Sequence, residues 1–520
     1  MGNETANPAS HTSVRSKIQS LQELAEIAKQ AQDEGRKVVL CHGVFDLLHM
    51  GHVRHLEGAR REGDMLIVTT TGDGFVNKGP GRPIFPEHMR AEMLAALSYV
   101  DWVGINQASS AEVVLNTVRP DIYVKGSDYE NPEDDVTGKI QSERDAVEAH
   151  GGRLVFTKDI TFSSSNLINK YFDVYDPPLR DFLEQMREEN SLPQILDLIE
   201  RVKDMKVLLV GDTIIDEYQY VTTLGKSPKE NMIATLFESK ELFAGGVIAA
   251  ANHVAEFCAK VDVLTVIGEA DPHEAVIRQS LKPNVGLTAL RRAGAPTTRK
   301  CRFIEPTYMR KLFEVYHMDD SPLRESLADD FNSRIVDVAK NYDVVLVTDF
   351  GHGLIQPETI RILASEARFL AVNAQSNSAN MGFNLITRYS RADYICIDAP
   401  EARMAVGSKS EDLSIIAGDI LPRLIKSNRI ILTHGKHGCV TWQTERGAHR
   451  VPAFTKTVVD TVGAGDAFLA VTSPLVAAGG RMDHVGFIGN AAGAIKVGIV
   501  GHRRSVEKAP LIKFITTLLK

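Results

Sequence analysis

Two histidines stand three positions apart in the stretch Gly43-Val44-Phe45-Asp46-Leu47-Leu48-His49-Met50-Gly51-His52. The apolar run 38–40 before this stretch predicts a strand, and residues 53–61 after it predict a helix. The two imidazoles should therefore lie at the positive end of a helix dipole, just past the carboxyl end of a strand, where phosphate groups bind. We interpret this stretch as the phosphate-binding part of a nucleotide site. The alternative for a single histidine is a capping or packed role.

Two cations follow about one βα unit downstream, in the loop Lys78-Gly79-Pro80-Gly81-Arg82-Pro83. This loop is too rich in Gly and Pro for regular structure. Lys78 and Arg82 are our candidates for cations that close on a triphosphate. The alternative is that both side chains are simply solvated.

A second candidate site lies at the start of a predicted helix near the C-terminus, in the stretch Asp460-Thr461-Val462-Gly463-Ala464-Gly465-Asp466-Ala467-Phe468. Small residues let backbone N–H groups approach a transferred phosphoryl group and form an anion hole. Asp466, directly after the glycines, is placed to accept a proton from a substrate hydroxyl. The alternative is a tight helix entry in which this aspartate is a capping residue.

These residues belong to a chain of 520 residues, long enough for two or three domains. Hydrophobic residues make up 43% and charged residues 24%, which is typical of a globular protein. The net charge of −8 argues against a broad basic surface, so we expect no nucleic-acid partner. Anionic ligands must then be held by local donors.

The five cysteines, at positions 41, 258, 301, 396 and 439, are scattered and never spaced C-x-x-C. We expect reduced thiols, without a disulfide framework or a zinc site. The start of the chain has no apolar core of the signal-peptide type, and no apolar run is long enough to span a bilayer. We therefore expect a cytoplasmic protein without a membrane partner, beginning with a disordered segment, residues 1–16.

Strands and helices alternate after this start, which predicts an α/β fold with a parallel sheet covered on both faces. Helical spacing begins at Ile18 and Gly35 ends that helix, and the polar turn 163–166 is predicted to cap a last helix. The other predicted strands of this region are Met65–Thr71, Trp102–Val103, Ile122–Val124 and Arg153–Phe156, and the other predicted helices are Pro86–Leu97 and Ala111–Thr117.

A helical, charged and proline-interrupted stretch, residues 171–205, suggests a connector, with the linker itself placed at 173–194. The second domain is placed at 195–520 and alternates in the same way. Two further β segments, Ile233–Glu238 and Lys300–Tyr316, are expected to pair into a small lid. The predicted strands are Val207–Val210, Val261–Ile267, Val344–Val347, Phe369–Val372, Tyr394–Ile397 and Ile430–Thr433, and the clearest predicted helices are Gly463–Ala478 and His484–Val497.

The first region, about residues 17–172, resembles the H-x-G-H nucleotidyltransferase superfamily of cytidylyl- and adenylyltransferases. The resemblance includes Gly43-x-Phe45-Asp46, Arg90, Val124-Lys125-Gly126-x-Asp128-Tyr129 and Ser163-Ser164-Ser165. It implies a Rossmann-like domain in which a sugar-phosphate oxygen attacks the α-phosphorus of a nucleoside triphosphate. It assigns His49 and His52 to the phosphates and the transition state, and Lys125 is our candidate for the acceptor side. Gly43, Phe45, Ser163 and Ser164 would contact the nucleotide and its phosphates.

The second region, about residues 195–520, resembles the ribokinase-like (PfkB) sugar kinases. The resemblance is carried by Gly211-Asp212-x-x-x-Asp216, Gly245-Gly246, Thr433-His434-Gly435-Lys436-x-Gly438 and the Gly463–Asp466 stretch. It implies an ATP-dependent kinase with Asp466 as base. Nucleotide contacts would come from Thr433, Gly435, Gly438, Gly463, Ala464 and Gly465, and sugar contacts from Asp216, Gly245, Gly246 and Lys300.

Together the two regions resemble the bifunctional heptose-7-phosphate kinase/heptose-1-phosphate nucleotidyltransferases, also at Pro296-Thr297-Thr298-x-Lys300 and Asp349-Phe350-Gly351-x-Gly353. In those relatives the kinase comes first, whereas here it comes second. The resemblance implies an ADP-heptose product for cell-envelope lipopolysaccharide, ATP with Mg²⁺ as cofactors, and ATP or CTP at the N-terminal site. It also implies a homodimer.

Three departures from the kinase pattern leave alternatives open. Ala249 stands where the family usually has Asn, Asn373-Ala374-Gln375 replaces Asp-Pro-Lys, and Asp398-x-x-Glu401 replaces Asn-x-x-Glu. Asp398 and Glu401 could still organise Mg²⁺ through water. One alternative is an active transferase whose kinase domain has become a sugar-binding or scaffolding module. Another is a CTP-dependent polyol-phosphate cytidylyltransferase.

Overall fold

The computed structural model describes residues 14–76, 78–79, 81–126, 140–157, 175–454 and 458–520. The chain divides into two compact units. The first unit comprises residues 1–176 and 512–520, and the second comprises residues 177–511. The domain boundaries placed at 172 and 195 from the sequence stay predictions.

The first unit contains a five-stranded sheet in the order β3-β2-β1-β4-β5, with every neighbouring pair parallel. Its strands are β1 (Val38–Gly43), β2 (Met65–Thr71), β3 (Trp102–Asn106), β4 (Ile122–Gly126) and β5 (Arg153–Thr157). Its helices are Leu21–Asp33, Met50–Arg61, Glu87–Ala95, Glu112–Val118 and Ile140–Glu148. The predicted parallel α/β sheet is confirmed.

Both faces of this sheet are covered. Val39 and Cys41 of β1 belong to one apolar cluster, whereas Val38 and Leu40 belong to another. Successive side chains of a strand point to opposite faces, so the two clusters lie on the two sides of the sheet. Such double burial explains why these strands are continuous apolar runs in the sequence.

The start of the chain differs from its prediction. Residues 14–16, expected to be disordered, belong to the 3₁₀ helix Val14–Lys17, and residues 1–13 lie outside the described residues. Ile18 is not helical but bridges to Val103. The helix begins after Ser20 because Ser20 and Glu23 form a capping box, which satisfies the first N–H groups.

The second unit contains a nine-stranded sheet in the order β10-β9-β6-β13-β14-β15-β16-β17-β18. The pairs are parallel from β10 to β16, and the pairs β16–β17 and β17–β18 are antiparallel. The sequence analysis missed β10, β17 and β18. The strands are β6 (Lys206–Gly211), β9 (Lys260–Gly268), β10 (Val285–Arg292), β13 (Val344–Asp349), β14 (Leu370–Ala374), β15 (Tyr394–Asp398), β16 (Arg429–Thr433), β17 (Cys439–Gln443) and β18 (Gly447–Val451).

The helices of the second unit include two in the stretch predicted to be a connector, Pro177–Glu188 and Ser191–Arg201. The prolines of this stretch lie at the beginnings of these helices, where no helical N–H partner is needed. The C-terminal helix Lys508–Leu519 begins in this unit. The others are Val247–Val254, Glu274–Ser280, Glu325–Val338, Pro357–Glu366, Ala399–Ala405, Leu413–Ile415, Leu421–Leu424, Ala464–Ala477 and Met482–Lys496.

The predicted lid is a four-stranded sheet in the order β12-β11-β7-β8. Its strands are β7 (Thr213–Lys226), β8 (Ile233–Gly246), β11 (Thr298–Glu305) and β12 (Arg310–His317). The expected direct pairing of the two β segments is wrong, because β7 lies between β8 and β11. The sequence analysis missed β7, whose last five residues are exposed and lack an apolar pattern.

All five cysteines are buried and free, as the sequence predicts. Among the described helices, none combines the length and the apolar character that a membrane crossing requires.

Candidate active sites

The two histidines of the first unit stack on each other at the carboxyl end of β1. His49 is the N-cap of helix Met50–Arg61, and its Nδ1 accepts a hydrogen bond of 3.1 Å from the N–H of Gly51. His52 lies in the first turn, with its ring centroid 4.0 Å from that of His49. The ring of Phe45 lies edge-on to His52 at 5.2 Å. The two imidazoles are thus fixed at a helix N-terminus, where N–H groups favour an anion.

The imidazoles are held in their neutral form. Burial lowers the pKa of His52 to about 3, and the neighbouring His49 and Lys78 act in the same direction. Burial also lowers the pKa of His49. A bound polyphosphate would oppose this shift, because an anion favours the charged imidazolium.

Arg90 is fully buried and organises the backbone around the histidine stretch. Its guanidinium donates to the carbonyl of Val44 at 2.6 Å and to Oδ1 of Asp73 at 2.6 Å. It also donates to Phe85 O, Thr70 Oγ1 and Thr71 O, at 2.8, 2.6 and 2.8 Å. Arg90 therefore joins the end of β2 to the residues that follow β1.

The two predicted loop cations have different environments. Nη1 of Arg82 lies 3.3 Å from Oδ2 of Asp46, and both side chains are fully buried. Oδ1 of Asp46 accepts from the N–H of Ile84 at 2.6 Å. Arg82 is thus not the solvated side chain of the alternative interpretation. Burial and the nearby cations Lys513, Arg82 and Lys520 together lower the pKa of Lys78 to about 7, against the effect of Asp46, which raises it.

The other predicted residues of this site are only partly accounted for. Nζ of Lys125 pairs with Oε2 of Glu143 at 2.9 Å, and the hydroxyl of Tyr123 donates to the same oxygen at 3.0 Å. Gly43 ends β1, close to the ring of Phe45. Ser163 and Ser164 lie outside the described residues. The roles predicted for Lys125, Gly43, Phe45, Ser163 and Ser164 stay predictions.

In the second unit, Asp466 lies in the first turn of helix Ala464–Ala477, which begins after Gly463. Gly463 has φ +74°, a conformation that suits glycine. A methyl group on Gly463 would lie 2.5 Å from Cε1 of His502, so there is no room for a side chain. Gly463, Gly465 and Asp466 line one pocket, and the N–H groups of this helix start can bind an anion there.

The carboxylate of Asp466 is buried and hydrogen-bonded to an amide. Nε2 of Gln375 donates to Oδ1 of Asp466 at 3.0 Å. Burial raises the pKa of Asp466, while the nearby His502 and Lys496 oppose the rise. A carboxylate with a raised pKa accepts a proton more readily near neutral pH than an exposed aspartate does.

Asp216, predicted to bind sugar, lies between two positively charged or protonatable groups. Nε2 of His502 lies 3.2 Å from its Oδ2, and Arg302 forms an ion pair with its Oδ1. These two partners hold the pKa of Asp216 well below its usual range against the effect of burial, which would raise it. Sequence analysis missed both partners. Arg302 is detectable as the residue two positions after Lys300 on β11, whereas His502 lies in no predicted motif.

Lys300 lines the same pocket and is almost fully buried. Its Nζ lies 5.2 Å from the ring centroid of Tyr316 and 5.7 Å from that of Phe350. Burial lowers its pKa, and Asp216 opposes this effect. Gly246 also lines the pocket, and a methyl group on Gly245 would lie 2.1 Å from Oδ2 of Asp216. The predicted sugar-binding residues are therefore close together.

Asp398 and Glu401 also line this pocket. They form the capping box of helix Ala399–Ala405, and Oε1 of Glu401 accepts from the N–H of Ser376 at 3.0 Å. Burial and the nearby Asp398 raise the pKa of Glu401 to about 8. Asp398 is exposed and Glu401 is half-buried, and two neighbouring carboxylates of this kind suit a divalent ion such as Mg²⁺.

Of the predicted nucleotide contacts, Thr433 lines the pocket, and Ala464 is the first residue of helix Ala464–Ala477. Gly435 and Gly438 lie in the turn between β16 and β17. A methyl group on Gly438 would lie 1.9 Å from the carbonyl oxygen of Val451, so close packing explains this glycine without a ligand.

A buried base, a glycine-rich helix start, cations and paired carboxylates in one pocket are the parts that phosphoryl transfer needs. Residues 204–509 match the model of the pfkB family of carbohydrate kinases, and residues 40–170 match the cytidylyltransferase-like family model. The first match covers more than half of the chain, and the chain belongs to the pfkB carbohydrate kinase family. Both resemblances found from the sequence are confirmed.

Two curated relatives carry the name "Bifunctional protein HldE". The protein of Syntrophotalea carbinolica is 40% identical over 164 residues, which are 31% of this chain and 32% of that protein. The protein of Trichlorobacter lovleyi is 37% identical over 186 residues, 34% of this chain and 36% of that protein. The chain thus spans about a third of the length of the curated relatives it matches.

Two solved structures are also similar. Arabidopsis thaliana ribokinase complexed with ribose and ATP has 16% sequence identity and a TM-score of 0.46, over 61% of this chain and 99% of that chain. Escherichia coli phosphofructokinase-2 in complex with substrates and products has 12% identity and a TM-score of 0.49, over 61% of this chain and 100% of that chain.

Proposed function

We propose that this protein activates a sugar phosphate in two reactions. The second unit phosphorylates a sugar phosphate with ATP, and the first joins a sugar 1-phosphate to a nucleotide with release of pyrophosphate. A separate phosphatase acts between these steps. The observation that carries the kinase is Asp466 at the Gly463–Gly465 helix start, in one pocket with Lys300 and Arg302.

In the kinase reaction, a hydroxyl of the sugar gives its proton to Asp466 as its oxygen attacks the γ-phosphorus of ATP, and ADP leaves. The N–H groups at the start of helix Ala464–Ala477 stabilise the charge on the transferred phosphoryl group. Gln375 keeps Oδ1 of Asp466 in place. Asp398 and Glu401 would hold Mg²⁺, which neutralises charge on the ATP phosphates when bound.

In the transferase reaction, an oxygen of the sugar 1-phosphate attacks the α-phosphorus of the nucleoside triphosphate, and pyrophosphate leaves. No covalent enzyme intermediate is needed, only alignment and neutralisation of charge. His49 and His52 donate hydrogen bonds to the phosphates from the N-terminus of helix Met50–Arg61. Lys78 adds positive charge once an anion restores its proton.

For the sugar substrate we propose heptose 7-phosphate, with ADP-heptose as the final product for lipopolysaccharide. The cations Lys300 and Arg302 support an anionic sugar, because a phosphate group would add a charge-assisted contact to the buried Lys300 and to the guanidinium that Asp216 already pairs. Two curated relatives named as bifunctional HldE proteins support a two-reaction enzyme. The base at the N-terminal site is adenine in this proposal, with cytosine as the alternative.

In a second candidate function, the kinase domain binds a sugar but does not phosphorylate it. This function is favoured by Ala249, which is a buried apolar residue where the sugar-kinase pattern has an amide. The polyol-phosphate cytidylyltransferase alternative would use the same histidines with CTP.

We also propose a cytoplasmic homodimer that associates through the lid sheet. Large apolar side chains on this sheet are more than half exposed, which is unusual for a surface that stays in water. They are Leu224, Ile233, Leu236, Phe237 and Phe313.

A matrix of nucleoside triphosphates and phosphorylated acceptors tests the proposal. We expect ADP release with heptose 7-phosphate and ATP, and pyrophosphate release with heptose 1-phosphate and ATP. Pyrophosphate release only with CTP and glycerol 3-phosphate would support the polyol alternative. The absence of ADP release with every sugar phosphate would contradict the kinase, as would release that persists in Asp466→Asn.

A further inference from the structure

The last nine residues of the chain belong to the first compact unit, although the residues just before them belong to the second. They lie outside both matched family regions, which end at residues 170 and 509. Neither family therefore accounts for them. We call residues 512–520 the C-terminal segment.

The C-terminal segment is packed rather than loose. Ile515 and Leu518 are fully buried, and Phe514 is 6% exposed. A methyl group on Gly79 would lie 3.1 Å from Cδ2 of Leu518 and 4.0 Å from Cζ of Phe514. Gly79 lies in the loop of the predicted triphosphate cations, so apolar side chains of the segment lie directly against that loop.

The same packing places a lysine of the segment among the groups of the histidine site. The charge of Lys513 acts on Lys78, and it also acts on His42. His42 contacts the hydroxyls of Thr69 and Thr71 at 2.9 and 3.3 Å, at the end of β2. Lys513 is thus close to the carboxyl edge of the parallel sheet, the edge at which ligands of such sheets bind.

Positive charge is concentrated at this edge. Arg82, Lys513 and Lys520 all lie near Lys78, and Asp46 pairs with Arg82. Like charges repel each other. A bound triphosphate or pyrophosphate would offset this repulsion, because its negative charges would pair with the cations.

We propose that Lys513 binds the polyphosphate of the nucleoside triphosphate at the His49–His52 site, and that Phe514 and Leu518 hold it there by packing against the loop at Gly79. The C-terminal end of the chain thereby completes the N-terminal active site. This inference rests on the nucleotidyltransferase function proposed above. It adds a binding residue that neither the H-x-G-H stretch nor the kinase motifs contain.

The test compares Lys513→Met with Lys508→Met in the full-length protein. Lys508 lies on the same helix, but its Nζ pairs with Glu200 at 2.7 Å in the second unit. We expect Lys513→Met to raise the KM for the triphosphate in pyrophosphate release about tenfold, as for one charge-assisted contact. The kcat should change less than twofold, and Lys508→Met should leave both constants unchanged.

Two further measurements test the packing of the C-terminal segment and the binding of the triphosphate. Leu518→Asn should raise the same KM, because the segment would no longer be held against the loop. The Kd of an α,β-methylene triphosphate analogue, measured by calorimetry, should rise about tenfold in Lys513→Met.

Several outcomes would overturn the inference. A KM and Kd equal to those of the wild type in Lys513→Met would show that the lysine does not contact the ligand. Tighter binding in Lys513→Met or Leu518→Asn would show that the segment obstructs the site. If the wild type neither binds the analogue nor releases pyrophosphate with any acceptor, the nucleotidyltransferase proposal itself fails, and the inference fails with it.

Discussion

The side-chain amide of Gln375 donates a hydrogen bond of 3.0 Å to Oδ1 of Asp466. The sugar-kinase pattern has a lysine at this position, which would place a cation near the base. A neutral amide fixes the carboxylate without adding a positive charge to stabilise its ionised form. The pKa of Asp466 is therefore governed mainly by its burial, which raises it.

Removing this amide should impair the kinase. In Gln375→Ala the buried Oδ1 loses its donor, which raises the pKa of Asp466 further and leaves less of the base ionised. We expect kcat to fall about tenfold, because a hydrogen bond to a charged group contributes about 1.5 kcal/mol or more. The acid limb of the kcat profile should move to higher pH, and in Gln375→Lys it should move to lower pH.

Gln356→Ala is a suitable control, because Gln356 donates to the carbonyl of Leu323 and does not line the pocket. An unchanged pH profile in both Gln375 variants would contradict the role assigned to this amide.

Arg302 should select a phosphorylated sugar. Without this guanidinium, an anionic substrate loses one charge-assisted contact, and Asp216 loses one of its two partners. We expect Arg302→Met to lower kcat/KM for heptose 7-phosphate about 30-fold, corresponding to about 2 kcal/mol. The loss should be smaller for the unphosphorylated sugar.

Arg299→Met is the matched control on the same strand, because Arg299 pairs with Glu217 at 2.6 Å and its side chain points to the other face of the sheet. Equal losses for the two sugars in Arg302→Met would mean that Arg302 acts only through Asp216.

Triphosphate binding should be accompanied by proton uptake by Lys78. Its pKa of about 7 leaves the free side chain mostly neutral at pH 8. A bound polyphosphate favours the charged ammonium and raises this pKa, so binding should take up about one proton at pH 8. Calorimetry in two buffers of different ionisation enthalpy measures this number. The uptake should disappear in Lys78→Met, and equal uptake in both proteins would refute the assignment.

Arg90 should be essential for the stability of the first unit. Arg90→Met leaves Asp73 and several carbonyls without their buried donor, so we expect a loss of about 3 kcal/mol or more. The chain has two tryptophans, of which Trp102 lies in β3 of the first unit and Trp442 in β17 of the second. Urea unfolding followed by fluorescence in a Trp442→Phe background therefore reports on the first unit alone.

The control in that background is Arg36→Ala, whose ion pair with Glu34 is about half exposed. It should change the free energy of unfolding by less than about 0.5 kcal/mol. A similarly small effect of Arg90→Met would show that the hydrogen bonds of this guanidinium are dispensable.

Much of this fold can be predicted from the sequence, because buried parallel strands are short apolar runs and helix starts carry recognisable caps. The strand Met65–Thr71 and the helix from Gly463 to Ala478 illustrate this, since the structure places them at Met65–Thr71 and Ala464–Ala477. The strand β7 shows the opposite case. The end of this strand is exposed and belongs to a small sheet. Its sequence there lacks the apolar run by which a buried strand is predicted.

Residues of the candidate sites could be predicted only where one short stretch of sequence contains several residues of the same site. His49, His52 and Asp466 lie in such stretches. His502 and Lys513 could not be found in this way, because they join their sites through packing between segments far apart in sequence. Arg82 was found, but its burial against Asp46 depends on the loop conformation, which Gly and Pro content alone does not specify.

The central claim is that one chain carries two separate active sites. Its most direct test is a single assay that measures ADP release with heptose 7-phosphate and pyrophosphate release with heptose 1-phosphate for the wild type, Asp466→Asn and His52→Ala. We expect Asp466→Asn to lower ADP release by a factor of about 100 or more and to leave pyrophosphate release unchanged. We expect His52→Ala to do the reverse. ADP release that survives in Asp466→Asn, or pyrophosphate release that survives in His52→Ala, would contradict this account.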